Sequence, residues 1–217
     1  LSHVTLAPDQ IADALEIHNG THLVNWSFTM SSSVSPASSA DRSPFVFLDR
    51  CHQDIQLKLE RLLALAIAVE ADGLTPALQT QARELTDWFN AEPRQHHLDE
   101  EKHVFPSLLS STDEDVLQTT HRLIQDHGWL ETDWFEIEPS LEAAADGNSW
   151  FDPTALRNAV EVFQQLYIDH IVLEESLAYP AARAQMDPAQ FESMGVEMAR
   201  RRALRDAKVE KLAKVPQ

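Results

Sequence analysis

His96-His97-Leu98-Asp99-Glu100-Glu101-Lys102-His103-Val104-Phe105-Pro106 and, much later in the chain, His170-Ile171-Val172-Leu173-Glu174-Glu175-Ser176-Leu177-Ala178-Tyr179-Pro180 share one grammar, His-x3-Glu-x5-Pro. A His and a Glu four residues apart on a helix lie one turn above each other on the same face. Each stretch therefore presents an imidazole and a carboxylate side by side, and two helices so equipped can close on a pair of metal ions.

Working outward from these stretches, the helix punctuation is legible from residue 44 onward. Ser43-Pro44, Thr75-Pro76, Asp152-Pro153 and Asp187-Pro188 each place a capping side chain before a Pro at the first helical position. Thr112-x-x-Asp115 is a weaker, capping-box-like start. The implied helices run over 44–72, 76–110, 113–137, 153–179 and 188–214, with Pro93 expected to kink the second. The first carries Leu48, His52, Ile55, Leu59, Leu62, Ala66 and Val69 in 4-3-4-3 spacing, the rhythm of a buried seam. The fourth carries Leu156, Val160, Phe163, Tyr167, His170, Glu174 and Leu177 on the same rhythm. The third groups Leu123, His127, Leu130 and Trp134, with Glu131 beside them, and the second gives Leu78, Ala82, Leu85, Phe89, His96 and Glu100. The expected fold is all-α: an up-down-up-down four-helix bundle over 44–180, an additional C-terminal helix within 181–217 that packs on the bundle, and a flexible N-terminal arm over 1–43. In that arm IADALEIH reads as a short helix ended by Asn19-Gly20. Residues 30–43 are a Ser/Ala-rich linker, and Met30 is a candidate start that would leave 1–29 as upstream sequence.

Composition narrows the function. Across 217 residues, 43% are hydrophobic and mean hydropathy is −0.31, which suits one soluble domain with a substantial core. Five Gly disfavour a turn-rich β fold. A net charge of −18, from 17 basic and 35 acidic residues, repels phosphate backbones and anionic lipid, so neither nucleic acid nor membrane is the expected partner. The lone Cys51 rules out an intrachain disulfide and reads as a packing residue. No stretch reaches the roughly 18 apolar residues of a membrane span and no secretion signal is evident, which makes the cytoplasm the expected compartment.

Each bundle helix contributes a His to its inward stripe, and two add a Glu one turn later. Carboxylates and imidazoles in an apolar seam are costly unless they pair or bind a cation. The mixed N/O set suits iron or manganese and tolerates zinc. Four His and two Glu are too many for one tetrahedral ion and suit two ions bridged by the carboxylates. A dinuclear centre is expected.

The chain resembles the hemerythrin-like family, or HHE cation-binding domain, through Cys51-His52-Gln53-Asp54, His96-His97-Leu98-Asp99-Glu100-Glu101 to Phe105-Pro106, Asp126-His127, and Asp169-His170 to Glu174-Glu175 and Tyr179-Pro180. The resemblance covers about residues 44–180. It implies that His52 and His96 bind one iron, that His127 and His170 bind the other, and that Glu100 and Glu174 bridge them with an oxo or hydroxo group. Oxygen carriers of the family place a further His where this chain has Glu131. If Glu131 ligates, the site becomes more anionic and favours ferric iron; if not, an iron keeps a freer position for dioxygen, nitric oxide or peroxide.

Other residues receive blander readings. His97 with Glu101 is the out-of-phase competitor of His96 with Glu100, and the Pro106 and Pro180 offsets select the latter pair. Asp99, Asp126 and Asp169 read as surface charges, and His3, His18, His22, His103 and His121 as surface histidines. The tail from Arg200 to Lys214, seven basic residues against two acidic, reads as a solvated helix laid on the acidic bundle, with a protein docking site as the alternative. The expected function is a non-haem diiron protein that binds or senses a small diatomic or peroxide. The alternatives are a diiron oxidoreductase, an iron donor for iron–sulfur repair, and a helical module with a merely structural metal. Iron donors tend to carry a Cys-bearing N-terminal domain that residues 1–43 do not resemble.

Overall fold

The computed structural model describes residues 43–213, with backbone alone for Asp206 and 208–213. The expected N-terminal arm and its short helix lie outside the described residues. Among those described there is no strand. The elements are α1 (Pro44–Asp72), α2 (Pro76–Phe89), α3 (Glu92–His103), α4 (Phe105–Leu108), α5 (Glu114–Ala145), α6 (Pro153–Leu173), a π-helical turn (Glu174–Ala178), α7 (Tyr179–Gln185) and α8 (Pro188–Ala213).

Most boundaries follow from caps. Thr75 accepts from the Leu78 amide at 3.3 Å, and Asp152 accepts from the Thr154 and Ala155 amides at 2.9 and 3.3 Å. Asp187 and Gln190 form a reciprocal box, each side chain accepting from the other's amide. Two caps depart from expectation. Ser43 makes no side-chain cap bond, so Pro44 and the Ser43 carbonyl alone start α1. Asp113 rather than Thr112 caps α5, because its carboxylate reaches the Asp115 and Val116 amides.

Three helices also differ in length or continuity. The expected helix 76–110 is broken twice. At Asn90–Ala91, just before Pro93, α2 ends with the Asn90 amide still bonded to the Thr86 carbonyl, while the Asn90 side chain joins α5, donating to Glu138 at 2.6 Å and accepting from the Trp134 indole at 2.7 Å. At Val104 it re-enters as α4, with Pro106 in the first turn. Conversely α5 runs past residue 137 to Ala145, with Pro139 inside it. The fourth helix does not stay α-helical to 179: it widens into the π turn at Glu174, and the Tyr179 amide bonds back to the Glu174 carbonyl. Five residues at α pitch would leave Tyr179 far round the helix from Glu174, but one wider turn brings it back to the same side. The inward stripe consequently shifts from half-buried Leu177 to Ala178, Tyr179 and Ala182.

Packing places α1 against α2 and α6, and α5 against α2 and α6, which closes a ring of four. Its interior divides into two apolar clusters. One holds Ile55, Leu59 and Leu62 of α1, Leu85 and Phe89 of α2, Leu130 and Trp134 of α5, and Phe163 and Tyr167 of α6. The other holds Phe45 and Leu48 of α1, Val104, Phe105 and Leu108, Leu123 of α5, Tyr179, and Met194 and Met198 of α8. Each fully buried Leu or Ile contributes about 2 kcal/mol. α1 and α5 pass from one cluster to the other at His52 and His127, and α6 does so near His170, so the polar residues form a layer between two greasy ends.

Candidate metal centre

His52 on α1, His96 and Glu100 on α3, His127 on α5, His170 on α6 and Glu174 in the π turn meet in that layer, each no more than 5% exposed. Their inner atoms interlock around the carboxylates. His52 Nε2 lies 3.1 Å from Glu174 Oε2 and 3.9 Å from Glu100 Oε1. His96 Nε2 is 3.3 Å from Glu100 Oε1, and His127 Nε2 is 3.5 Å from Glu100 Oε2 and 3.9 Å from Glu174 Oε1. His170 Nε2 stands 3.2 Å from Glu174 Oε1, one helical turn away. The atoms fall into two groups that could each hold an ion, His52/His96/Glu100/Glu174 and His127/His170/Glu100/Glu174, with both glutamates in common.

A ring of carboxylates sets the tautomers from behind. Glu175 accepts from His52 Nδ1 and Glu101 from His127 Nδ1, both at 2.9 Å, which turns each Nε2 inward as the nitrogen a cation would meet. Asp126, 1% exposed, lies 3.8 Å from His170 Nδ1, near enough to orient it by charge. Tyr179 donates its phenol proton to Glu100 and lies 3.2 Å from His52 Nε2.

Protons hold the charge balance of the cluster. Burial drives the His52 imidazole down, but Glu174, Glu100 and Glu175 outweigh it and raise its pKa to about 9. His127 and His170 are likewise raised, burial being overcome by Glu100, Glu101 and Glu174 for the first and by Glu174 and Asp126 for the second. His96, buried and surrounded by the other imidazoles, is held well below the usual histidine value. Of the two glutamates, Glu100 is raised by burial and by the charge of Glu174. Glu174 is held well below the ordinary range because its histidines outweigh its burial. A cation entering here displaces protons from the imidazoles.

The donor set fits a metal. Seven buried inner atoms have no hydrogen-bond partner: His96 Nδ1 and Nε2, His127 Nε2, His170 Nε2, Glu100 Oε2, and Glu174 Oε1 and Oε2. An unsatisfied buried polar group costs about 1–3 kcal/mol, and the protons shared between these imidazoles and carboxylates meet that cost only in part. Cations coordinated by these atoms remove that cost.

The structure does not bring Glu131 to the cluster. Its half-exposed side chain lies 3.6 Å from Arg94 at the rim of a cleft of about 330 Å3, where a carboxylate keeps its hydration. His97 lines the same cleft; its ring stacks on His127 with centroids 3.9 Å apart, and its Nε2 is buried without a hydrogen-bond partner. Asp99 and Asp126 are buried, contrary to their expected surface placement, whereas Asp169 is exposed and accepts from Gln165. His103 is half-buried against Glu197 rather than free on the surface, and His121 is exposed; His3, His18 and His22 lie outside the described residues. Sequence reasoning missed the supporting roles of Glu101, Glu175 and Tyr179. The doubled Glu100-Glu101 and Glu174-Glu175 were the available signal, since the second member of each pair backs a histidine of a neighbouring helix.

A buried four-His, two-Glu cluster inside packed helices defines a cation-binding helical protein. The chain belongs to the hemerythrin family: residues 43–182 match the hemerythrin HHE cation binding domain. It is also 27% identical, over 164 residues that cover 75% of this chain and 92% of the relative, to an uncharacterized protein of Haemophilus influenzae. Among the described residues no helix is long and apolar enough to cross a membrane.

Proposed function

We propose that this chain is a non-haem diiron protein that binds or senses dioxygen, nitric oxide or peroxide. In this reading His52 and His96 hold one iron, His127 and His170 the other, and Glu100 and Glu174 bridge them. The observation that carries it is the sharing of both glutamates between two four-residue ligand groups. Bound iron would supply a ferrous/ferric couple and a coordination position for the small ligand.

The chain's own residues do the rest. Glu175 and Glu101 keep Nδ1 protonated on His52 and His127, so that Nε2 is the ligating atom. Tyr179 fixes the Glu100 carboxyl and offers a hydroxyl at the centre. Phe163, Tyr167 and Trp134 exclude bulk water on one side, and Phe105 and Leu123 on the other. The cleft lined by His97, His127 and Tyr167 offers a small molecule a path inward between α3 and α5. The passage of each helix in turn from one apolar cluster to the other, with short connections, supports an up-down-up-down course for α1, α2–α4, α5 and α6–α7.

Metal analysis with an optical spectrum, on protein purified from iron-supplied cells, tests the reading. About two irons per chain with oxo-to-iron charge-transfer bands are expected; protein that takes up no iron contradicts it. The cleft is roomier than a diatomic needs, which favours as second reading a diiron oxidoreductase acting on peroxide or nitric oxide. Turnover no faster than that of free iron excludes that second reading.

A further inference from the structure

α3 carries two of the six converging side chains yet has little apolar anchorage of its own. Its buried residues are Pro93, His96, Asp99 and Glu100, so the small Pro93 ring is the one buried apolar side chain within it. It is cut off from α2 at Asn90–Ala91 and from α4 at Val104, so neither neighbour continues its hydrogen-bond ladder. Something outside the apolar core must hold it.

That hold comes from α8, which lies beyond the residues matched by the family. Asp99, 0% exposed, is ion-paired with Arg201 and accepts from Arg202 Nη2 at 2.8 Å. Arg202 also lies over the Phe47 ring of α1, 3.4 Å from its centroid. Around this pair, Arg205 reaches Glu92 at 2.7 Å, while Glu197 contacts Lys102, His103 and Arg201. Met194 and Met198 seat α8 in the apolar cluster with Phe45 and Leu48. One face of α3 thus looks into the metal layer through His96 and Glu100, and the residue between them in this geometry, Asp99, is gripped from behind.

We propose that Arg201 and Arg202 are positioning residues for the metal centre, holding Asp99 and thereby keeping His96 and Glu100 in ligating register. The proposal rests on the diiron reading for its consequence, but its mechanical half stands without metal. A buried carboxylate met by two guanidinium groups has a fixed place and orientation that a single flexible contact would not give. Adjacent Glu100 inherits that placement through the backbone. Arg201, Arg202 and Arg205 of the basic tail are accordingly turned inward, onto acidic residues of α3.

Two full-length variants test it, Arg201→Ala/Arg202→Ala and Arg201→Lys/Arg202→Lys, with Met194→Ala as the control that weakens α8 packing without touching Asp99. Iron release to a chelator should be ~10-fold faster or more in the alanine pair, with an altered optical spectrum, and intermediate in the lysine pair, which keeps charge without the planar fork. Met194→Ala should lower the melting midpoint with iron release near that of the wild type; a control as leaky as the alanine pair, at equal loss of midpoint, would reduce the arginines to a merely structural role and overturn the proposal. Amide hydrogen exchange on metal-free protein should show faster opening of α3 in the alanine pair relative to α1 and α5. This second readout separates the two ideas: wild type that binds no iron defeats the diiron reading, while unchanged exchange in α3 defeats the clamp. Should the alanine pair fail to fold, the lysine pair decides, and release and exchange equal to wild type refute the inference.

Discussion

Glu174 reaches three of the four histidines of the centre, with His52, His127 and His170 all within 3.9 Å of its oxygens. Glu174→Ala therefore removes one of the two shared carboxylates, and the variant should retain fewer ions than the wild type by metal analysis; undiminished content would remove Glu174 from the ligand set. Tyr179 is a subtler case. Tyr179→Phe deletes the donor to Glu100 but keeps the ring stacked on His52 at 5.4 Å. One net hydrogen bond is worth about 1 kcal/mol, so the fold should survive. The iron spectrum should shift, because Glu100 is freed to reorient. A spectrum identical to wild type would show that the phenol does not steer the carboxylate.

At the scale of elements, α5 and α8 make separate predictions. Gly128 lies inside α5, and a Cβ added there meets nothing within 4 Å. A helical Gly costs up to ~1 kcal/mol relative to Ala, so Gly128→Ala should raise the melting midpoint by roughly 2–4 °C at constant iron content. A lower midpoint would mean that the added methyl is not tolerated. For α8, partial burial would raise the Glu197 carboxyl, but Lys102, His103 and Arg201 outweigh it and depress its pKa from 4.5 to about 2. A depressed carboxylate stabilises the fold above its unfolded pKa and loses that contribution as pH falls toward its folded one. The stability difference between wild type and Glu197→Gln should be full near pH 6, shrink below about 4.5 and vanish near 2. Urea unfolding at several pH values measures it, and a difference that grew toward acid would reverse the sign. The same elements show where sequence reasoning stopped. Proline-flanked starts and the 4-3-4-3 stripe were visible because caps and periodicity are local. Pro93 marked the second helix for a kink, but the swing of Asn90 onto Glu138 and Trp134 of α5, and the π turn that answers to what Glu174 and Tyr179 find across the bundle, leave no local mark. Asp99 and Asp126 looked solvated because adjacent helical positions diverge by about 100°, a rule that overlooks an added helix or a buried orienting role.

For the whole molecule the decisive feature is the polar layer between two apolar clusters. Without cations its imidazoles and carboxylates face one another with shared protons alone to hold them, and the two halves of the core are joined across this buried polar layer. Metal binding is then part of folding energy, since ions that bind the folded chain alone stabilise it by mass action. With free iron at 1,000 times its dissociation constant the gain is about 4 kcal/mol, and for a chain of this length each kcal/mol moves the midpoint by ~2–4 °C. Stripping the metal should therefore lower the melting midpoint by roughly 8–16 °C, and restoring iron should recover it. The Glu174→Ala protein should show a smaller difference between its metal-treated and metal-stripped forms, because part of the ligand set is gone. Calorimetric scans of the four samples check both statements together. Equal midpoints for stripped and loaded wild type would mean that the polar layer closes on itself without cations, and the cost assigned to its orphaned atoms would have to be met by water or by protons alone.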